Sequence, residues 1–152
     1  MPDSAQIQTE ALPLVKPFDA ALGAEVSNID LSRPLSDAQF AVVEQAFLKH
    51  HVLVFRQQPL TDEQHLAFAS RFGELEGHVN KSTHHKKHDK VQVFSNVKDD
   101  GKTTGVHPEL GTYVWHTDKS YVATPSLTTV LRSPAIASEG GDTLFTNTHA
   151  AY

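Results

Sequence analysis

The chain has 152 residues, 39% of them hydrophobic and 20% charged, no cysteine and a formal charge of −5, which bounds it to one domain or part of a larger one. Lack of cysteine removes disulfides, thiolate metal sites and cysteine nucleophiles together, and the acidic balance argues against nucleic-acid binding by phosphate neutralisation. No apolar run approaches the ~20 residues of a membrane helix, and Met1-Pro2-Asp3-Ser4-Ala5-Gln6 lacks a basic, then apolar leader, so the cytoplasm is the default compartment.

Residues 1–11 are polar and unpatterned and are expected to form a flexible N-terminus, with one domain over 12–152. Leu12 to Phe18 and Gly23 to Val26 read as short strands separated by turn residues. Ser36-Asp37-Ala38-Gln39 has the Ser-x-x-Gln form of a capping box, in which hydroxyl and amide satisfy orphan backbone donors. The helix it opens carries Phe40, Val43 and Phe47 as a buried stripe. Past His50-His51, the apolar run Val52 to Phe55 fits a buried strand. Thr61-Asp62-Glu63-Gln64 repeats the capping pattern, with Leu66, Ala69 and Phe72 marking an inner face and Gly73 a stop.

A hydrophilic stretch follows from Glu74 to Lys90 and holds His78, His84, His85 and His88. Val91 to Asn96 reads as a strand, Lys98 to Lys102 as a turn, and Thr103 to Gly111 as irregular. The last third reads as β structure at Tyr113 to His116, Leu127 to Arg132 and Thr143 to Asn147, with Pro125 and Pro134 bracketing the middle strand. Glu139-Gly140-Gly141-Asp142 is a turn. Helices and strands in this order point to an α+β class, with helices packed outside a sheet or barrel.

The chemistry concentrates in Trp115-His116-Thr117-Asp118. In an extended segment side chains alternate, so the His116 imidazole and the Asp118 carboxylate share a face. One neutral nitrogen and one anionic oxygen are two thirds of the 2-His-1-carboxylate triad of non-haem Fe(II) sites. A bare His-x-Asp is weak by itself, and a surface histidine beside a solvated aspartate competes with it. Trp115, the only tryptophan, and the later Gly140-Gly141-Asp142-Thr143 add weight.

Together with Asp30-Leu31-Ser32-Arg33-Pro34-Leu35-Ser36-Asp37, His51-Val52-Leu53-Val54-Phe55-Arg56, Arg71-Phe72-Gly73-Glu74-Leu75 and Ala150-Ala151-Tyr152, these motifs make a specific set. The sequence resembles the taurine dioxygenase (TauD/TfdA) family of Fe(II)- and 2-oxoglutarate-dependent dioxygenases over nearly its whole length. The resemblance implies a partial double-stranded β-helix (jelly-roll) core with flanking helices, incomplete at the C-terminus. It also implies iron, 2-oxoglutarate as co-substrate, dioxygen, and hydroxylation of a small anionic organic molecule of the alkylsulfonate or aryloxyalkanoate kind.

Residue by residue, the resemblance makes His116 and Asp118 iron ligands and sets the Thr143 hydroxyl against a carboxylate of 2-oxoglutarate. His78 matches a substrate-pocket histidine. Lys81 stands where the taurine enzymes have a tyrosine, and Thr112 where they have a pocket asparagine; these departures argue against carrying taurine over. The family's distal histidine and its 2-oxoglutarate arginine are expected downstream of the matched motifs, so the chain reads as roughly the first half of a member.

Other clusters carry less. His84, His85 and His88 with Lys86, Lys87 and Lys90 lack an apolar face and a completing ligand, and a solvated loop is the simpler reading. His50-His51 suits a helix C-terminus, and His107-Pro108-Glu109 a turn. No nucleophile elbow or phosphate-cradling loop is present. Two rival readings stay open: a non-catalytic truncated remnant, whose missing strands leave unpaired edges, and a cupin-like metal protein with His107 or His149 converging on His116. Neither nucleic acid nor a membrane is an expected partner, and homo-oligomerisation is left open.

Overall fold

A computed structural model describes residues 11–77, 85, 87–98, 100–106 and 110–152. The expected loose N-terminus lies outside the described residues except for Ala11, whose carbonyl accepts from Gln39 Nε2 at 3.2 Å. His78, Lys81, His84 and His107 also lie outside them. The chain divides into two compact units, Met1–Gln64 with Ser133–Tyr152, and His65–Arg132.

The first unit is built on a three-stranded mixed sheet in the order β1-β2-β3. β1 (Leu14–Pro17) and β2 (Ala24–Ser27) pair antiparallel, with Leu14 opposite Ser27 and Pro17 opposite Ala24. β3 (Leu53–Val54) joins β2 in parallel, Ala24 opposite Leu53. A parallel neighbour needs a crossover, and α1 (Asp37–His50) supplies it, packing against β2 and β3. The β1–β2 connection closes with Phe18 N donating to Gly23 O at 3.0 Å. Gly23 has φ +97°, and a Cβ there would meet Phe18 Cδ2 at 2.7 Å, so only glycine fits the turn.

Both arms of the Ser36 capping box form: Gln39 N donates to Ser36 Oγ and Ser36 N to Gln39 Oε1, each at 3.2 Å. The face that α1 buries is Phe40, Val43 and Ala46; Phe47, expected in that stripe, is half-buried. Ala46 follows Val43 by three and presents no bulk to the strands, so the stripe shifts by one position as the helix settles on the sheet. With Ala24, Val26 and Leu31 they form the apolar core of this unit. Each larger side chain so buried contributes about 1.5–3 kcal/mol.

The loop between β2 and α1 is held by Gln58. Its side-chain amide accepts from Leu31 N at 2.9 Å and donates to Ile29 O at 3.1 Å and Arg56 O at 3.2 Å. A side-chain amide carries both donor and acceptor, so one residue satisfies backbone groups of both kinds here. Asp30 Oδ1 accepts from Ser32 N at 2.9 Å and from Ser32 Oγ at 2.6 Å. These hydrogen bonds, the side-chain one first, hold the Asp30 carboxyl below its usual range.

α2 (Asp62–Ala69) starts on the second capping pair, with Gln64 N donating to Thr61 Oγ1 at 3.3 Å and Thr61 N to Gln64 Oε1 at 2.7 Å. A 3-10 turn over Ser70–Phe72 follows and ends at Gly73. The anchor of this face is Phe68, buried and edge-on to Phe72 with ring centroids 5.6 Å apart. Leu66, Ala69 and Phe72, expected to be innermost, are half-buried. Phe68 lies within the helix, whereas Phe72 stands in the 3-10 turn that follows it.

The expected strands at Val91–Asn96, Tyr113–His116, Leu127–Arg132 and Thr143–Asn147 do not form. An antiparallel bridge pairs Val97 with Thr103 across the Lys98–Lys102 turn. Leu110–Tyr113 is a 3-10 turn, and α3 (Thr148–Ala151) follows the last of these segments. A strand is a pairing, and apolar alternation without a hydrogen-bonding neighbour stays solvated. Leu127, Leu131 and Leu144 are all more than 60% exposed, consistent with that. The β structure of the described residues is thus a small mixed sheet in the first unit and isolated bridge positions at Gln92, Val97 and Thr103 in the second.

Candidate metal centre

His116 and Asp118 lie in the second unit, between the 3-10 turn Leu110–Tyr113 and a turn that begins at Asp118. The segment is not a strand, so its side chains meet by a different route from simple alternation. His116 Nδ1 bonds to Val114 O at 2.8 Å. A carbonyl only accepts, so Nδ1 carries the proton and Nε2 keeps its lone pair when the ring is neutral. Nε2 faces Asp118 Oδ1 at 3.8 Å. The other carboxylate oxygen, Oδ2, accepts from Thr129 Oγ1 at 3.0 Å.

The separation is that of an ion pair, and it is also one that two ligands of a metal can span. At 3.8 Å the facing atoms are beyond hydrogen-bond range. For ligand bonds of about 2.1 Å, two donors on one ion stand roughly 3 Å apart at a right angle and about 4.2 Å apart when opposed. The observed gap lies inside that span. Each ligand also has its second polar atom tied, the imidazole to a carbonyl and the carboxylate to a hydroxyl, the outer-shell arrangement that orients metal ligands. Side-chain exposures of 48% and 58% leave the gap open to an entering ion. They also make the pair negligible as a source of stability. Among the described residues, no third imidazole or carboxylate joins the two.

The same segment is tied to Glu76. Its Oε2 accepts from Lys119 Nζ and from Ser126 Oγ, the latter at 2.9 Å. The Lys119 hydrogen bond first, then that of Ser126, hold the Glu76 carboxyl below its ordinary value of 4.5.

The remaining expected residues are distributed as follows. Thr112 sits exposed in the 3-10 turn four residues before His116. Thr143 is exposed in the first unit, two residues past Gly141, where φ values of +68° and +77° at Gly140 and Gly141 reverse the chain. His78 and Lys81 are outside the described residues. His85 and His88 stack at 5.4 Å and are half-buried, so the solvated-loop expectation does not hold for them. His149, offered above as a convergent ligand, lies flat on His51 at 5.5 Å. Thr129, the Val114 carbonyl and the Glu76 tie escaped the sequence reading. Thr129 is eleven residues from its partner, and no local pattern announces such a contact.

The chain is similar to known proteins over most of its length. The family profile described as Taurine catabolism dioxygenase TauD, TfdA family matches residues 14–152. An alpha-ketoglutarate-dependent 2,4-dichlorophenoxyacetate dioxygenase from Cupriavidus pinatubonensis is 33% identical over 147 residues, covering 91% of this chain and 51% of its own. An (S)-phenoxypropionate/alpha-ketoglutarate-dioxygenase from Delftia acidovorans is 31% identical over 147 residues, covering 91% and 47%. The crystal structure of AAD-2 in complex with Mn(II) and N-oxalylglycine superimposes with a TM-score of 0.51 at 29% identity, over 74% of this chain and 34% of that one. The chain spans about half the length of the curated relatives it matches.

Proposed function

Because the chain belongs to the taurine catabolism dioxygenase TauD, TfdA family, we propose that it carries two iron ligands of an Fe(II)- and 2-oxoglutarate-dependent dioxygenase. The observation that supports this most directly is the His116 ring, locked through Nδ1 to Val114 O with its Nε2 facing Asp118 Oδ1 across 3.8 Å. Bound iron supplies the activation of dioxygen, coupled to decarboxylation of 2-oxoglutarate. His116 and Asp118 would hold the ion, and the chemistry it would supply needs room there for co-substrate and gas. Thr129 keeps Asp118 turned so that Oδ1, not Oδ2, faces the imidazole. The third protein ligand and the 2-oxoglutarate arginine belong, on this reading, to sequence beyond the matched half, as does completion of a jelly-roll core.

Thr143 is assigned to a carboxylate of 2-oxoglutarate, and His78, Lys81 and Thr112 to the substrate. A lysine in that set suits an anionic group. The two relatives described above are named for aryloxyalkanoates, so a small carboxylate of that kind is the favoured substrate class, and an alkylsulfonate the alternative. Mn(II) titration of the chain followed by electron paramagnetic resonance tests the metal assignment. One saturable site is expected, weakened more than tenfold by His116→Ala and by Asp118→Ala. A chain that takes no ion, or takes it equally well after both changes, refutes the assignment and leaves the non-catalytic reading.

A further inference from the structure

The segment that follows the metal-binding carboxylate is closed by two ties, one inside the other. The outer tie is Thr129 Oγ1 to Asp118 Oδ2 at 3.0 Å. The inner one runs through Glu76, whose single oxygen Oε2 receives both Lys119 Nζ and Ser126 Oγ. Lys119 is the residue next to Asp118, and Ser126 stands three before Thr129. The span between them is turned by Val122 N donating to Lys119 O at 3.2 Å. Lys119 adopts φ +52°, a left-handed conformation that a side-chain-bearing residue rarely holds without outside support. Its side chain is only 22% exposed, against 48% for Glu76.

We propose that Glu76 is a positioning residue for the metal site: by joining Lys119 to Ser126 it brings Thr129 to Asp118 and so aims Oδ1 at the ion. This rests on the dioxygenase reading above. A lone hydroxyl–carboxylate bond in an exposed loop is a weak closure, since water competes for both groups and the loop entropy opposes it. An inner tie that has already gathered the two arms leaves the outer bond almost nothing to close. A charge-assisted contact is the stronger kind for that task. Without the Glu76–Lys119 tie, Asp118 is free to rotate away from the ion.

The test is Mn(II) affinity in the chain carrying Glu76→Gln, Lys119→Met, or both, with amide hydrogen exchange read on the metal-free proteins. Each single change is expected to weaken Mn(II) binding about tenfold, the scale of an orienting partner, and the double change no further. Exchange should quicken across 118–126, while the α1 amides keep their protection. Affinity within twofold of wild type for both single variants, or effects that add in the double variant, overturns the proposal. Should Glu76→Gln lose protection in α1 as well, Lys119→Met alone decides it by the same thresholds. A wild-type chain that takes no Mn(II) overturns the dioxygenase reading and this inference with it.

Discussion

A carboxylate has two oxygens, and what distinguishes them at Asp118 is Thr129. With Oδ2 engaged by a hydroxyl at 3.0 Å, Oδ1 is the one presented to His116. Thr129→Val keeps the shape and removes the donor, so Mn(II) binding should weaken by about tenfold with the unfolding transition nearly unmoved, because the contact is exposed. Unchanged affinity by the same titration would show that Asp118 needs no such support. The imidazole illustrates the other side of the matter. Its closest tie is to Val114, two positions earlier, and a contact that short in sequence is built into the local turn. The proximity of His116 and Asp118 was therefore legible from Trp115-His116-Thr117-Asp118, whereas the contacts of Thr129 and Glu76 were not. Their contacts span eleven and more than forty positions and leave no periodic trace.

Elements with a local cause came through from the sequence. Ser36 and Gln39 close a capping box as their spacing implies, and α1 begins at Asp37. Ser36→Ala should cost about 1 kcal/mol, read as a lowered midpoint in urea unfolding with an unchanged slope. A cost near zero would mean that packing of Phe40 and Val43 on the sheet, not the cap, sets the start of the helix. Thr61 and Gln64 repeat the arrangement at α2. Strand expectations divided by whether a partner exists. β1, β2 and β3 find each other, β2 at the centre with Ala24 and Val26 buried. The segments at Leu127–Arg132 and Thr143–Asn147 carry apolar residues as β1 does, yet find no ladder among the described residues. Periodicity states which residues want one face, and only a neighbour turns that into a strand.

At the level of the whole chain, burial is uneven. Among the described residues, the buried apolar side chains Ala24, Val26, Leu31, Phe40, Val43 and Ala46 belong to the first unit and Phe68 to the second. Local stability follows buried apolar contact, so the first unit should hold its amides longer than the segment 110–132. Acid should separate them further. Glu76 is held below 4.5 by Lys119 and Ser126, with a smaller contribution from Lys90. A carboxyl lowered in the folded state contributes its stabilisation fully above the ordinary value and loses it as pH falls through the lowered one. Hydrogen exchange corrected for its intrinsic pH dependence should therefore show 118–126 loosening as the pH drops below 4.5, with α1 little changed. Loss at neutral pH, or none in acid, would contradict the Glu76 tie.

The sequence by itself determined the starts of α1 and α2, the proximity of His116 and Asp118 and membership of the family, because each is written in residues a few positions apart or in motifs that need no partner. Tertiary structure alone decided which carboxylate oxygen faces the imidazole, which residue clamps the loop behind it, and which apolar segments become strands. Those outcomes depend on atoms brought together across long stretches of chain, and closing such distances is a property of the fold, not of any window along it.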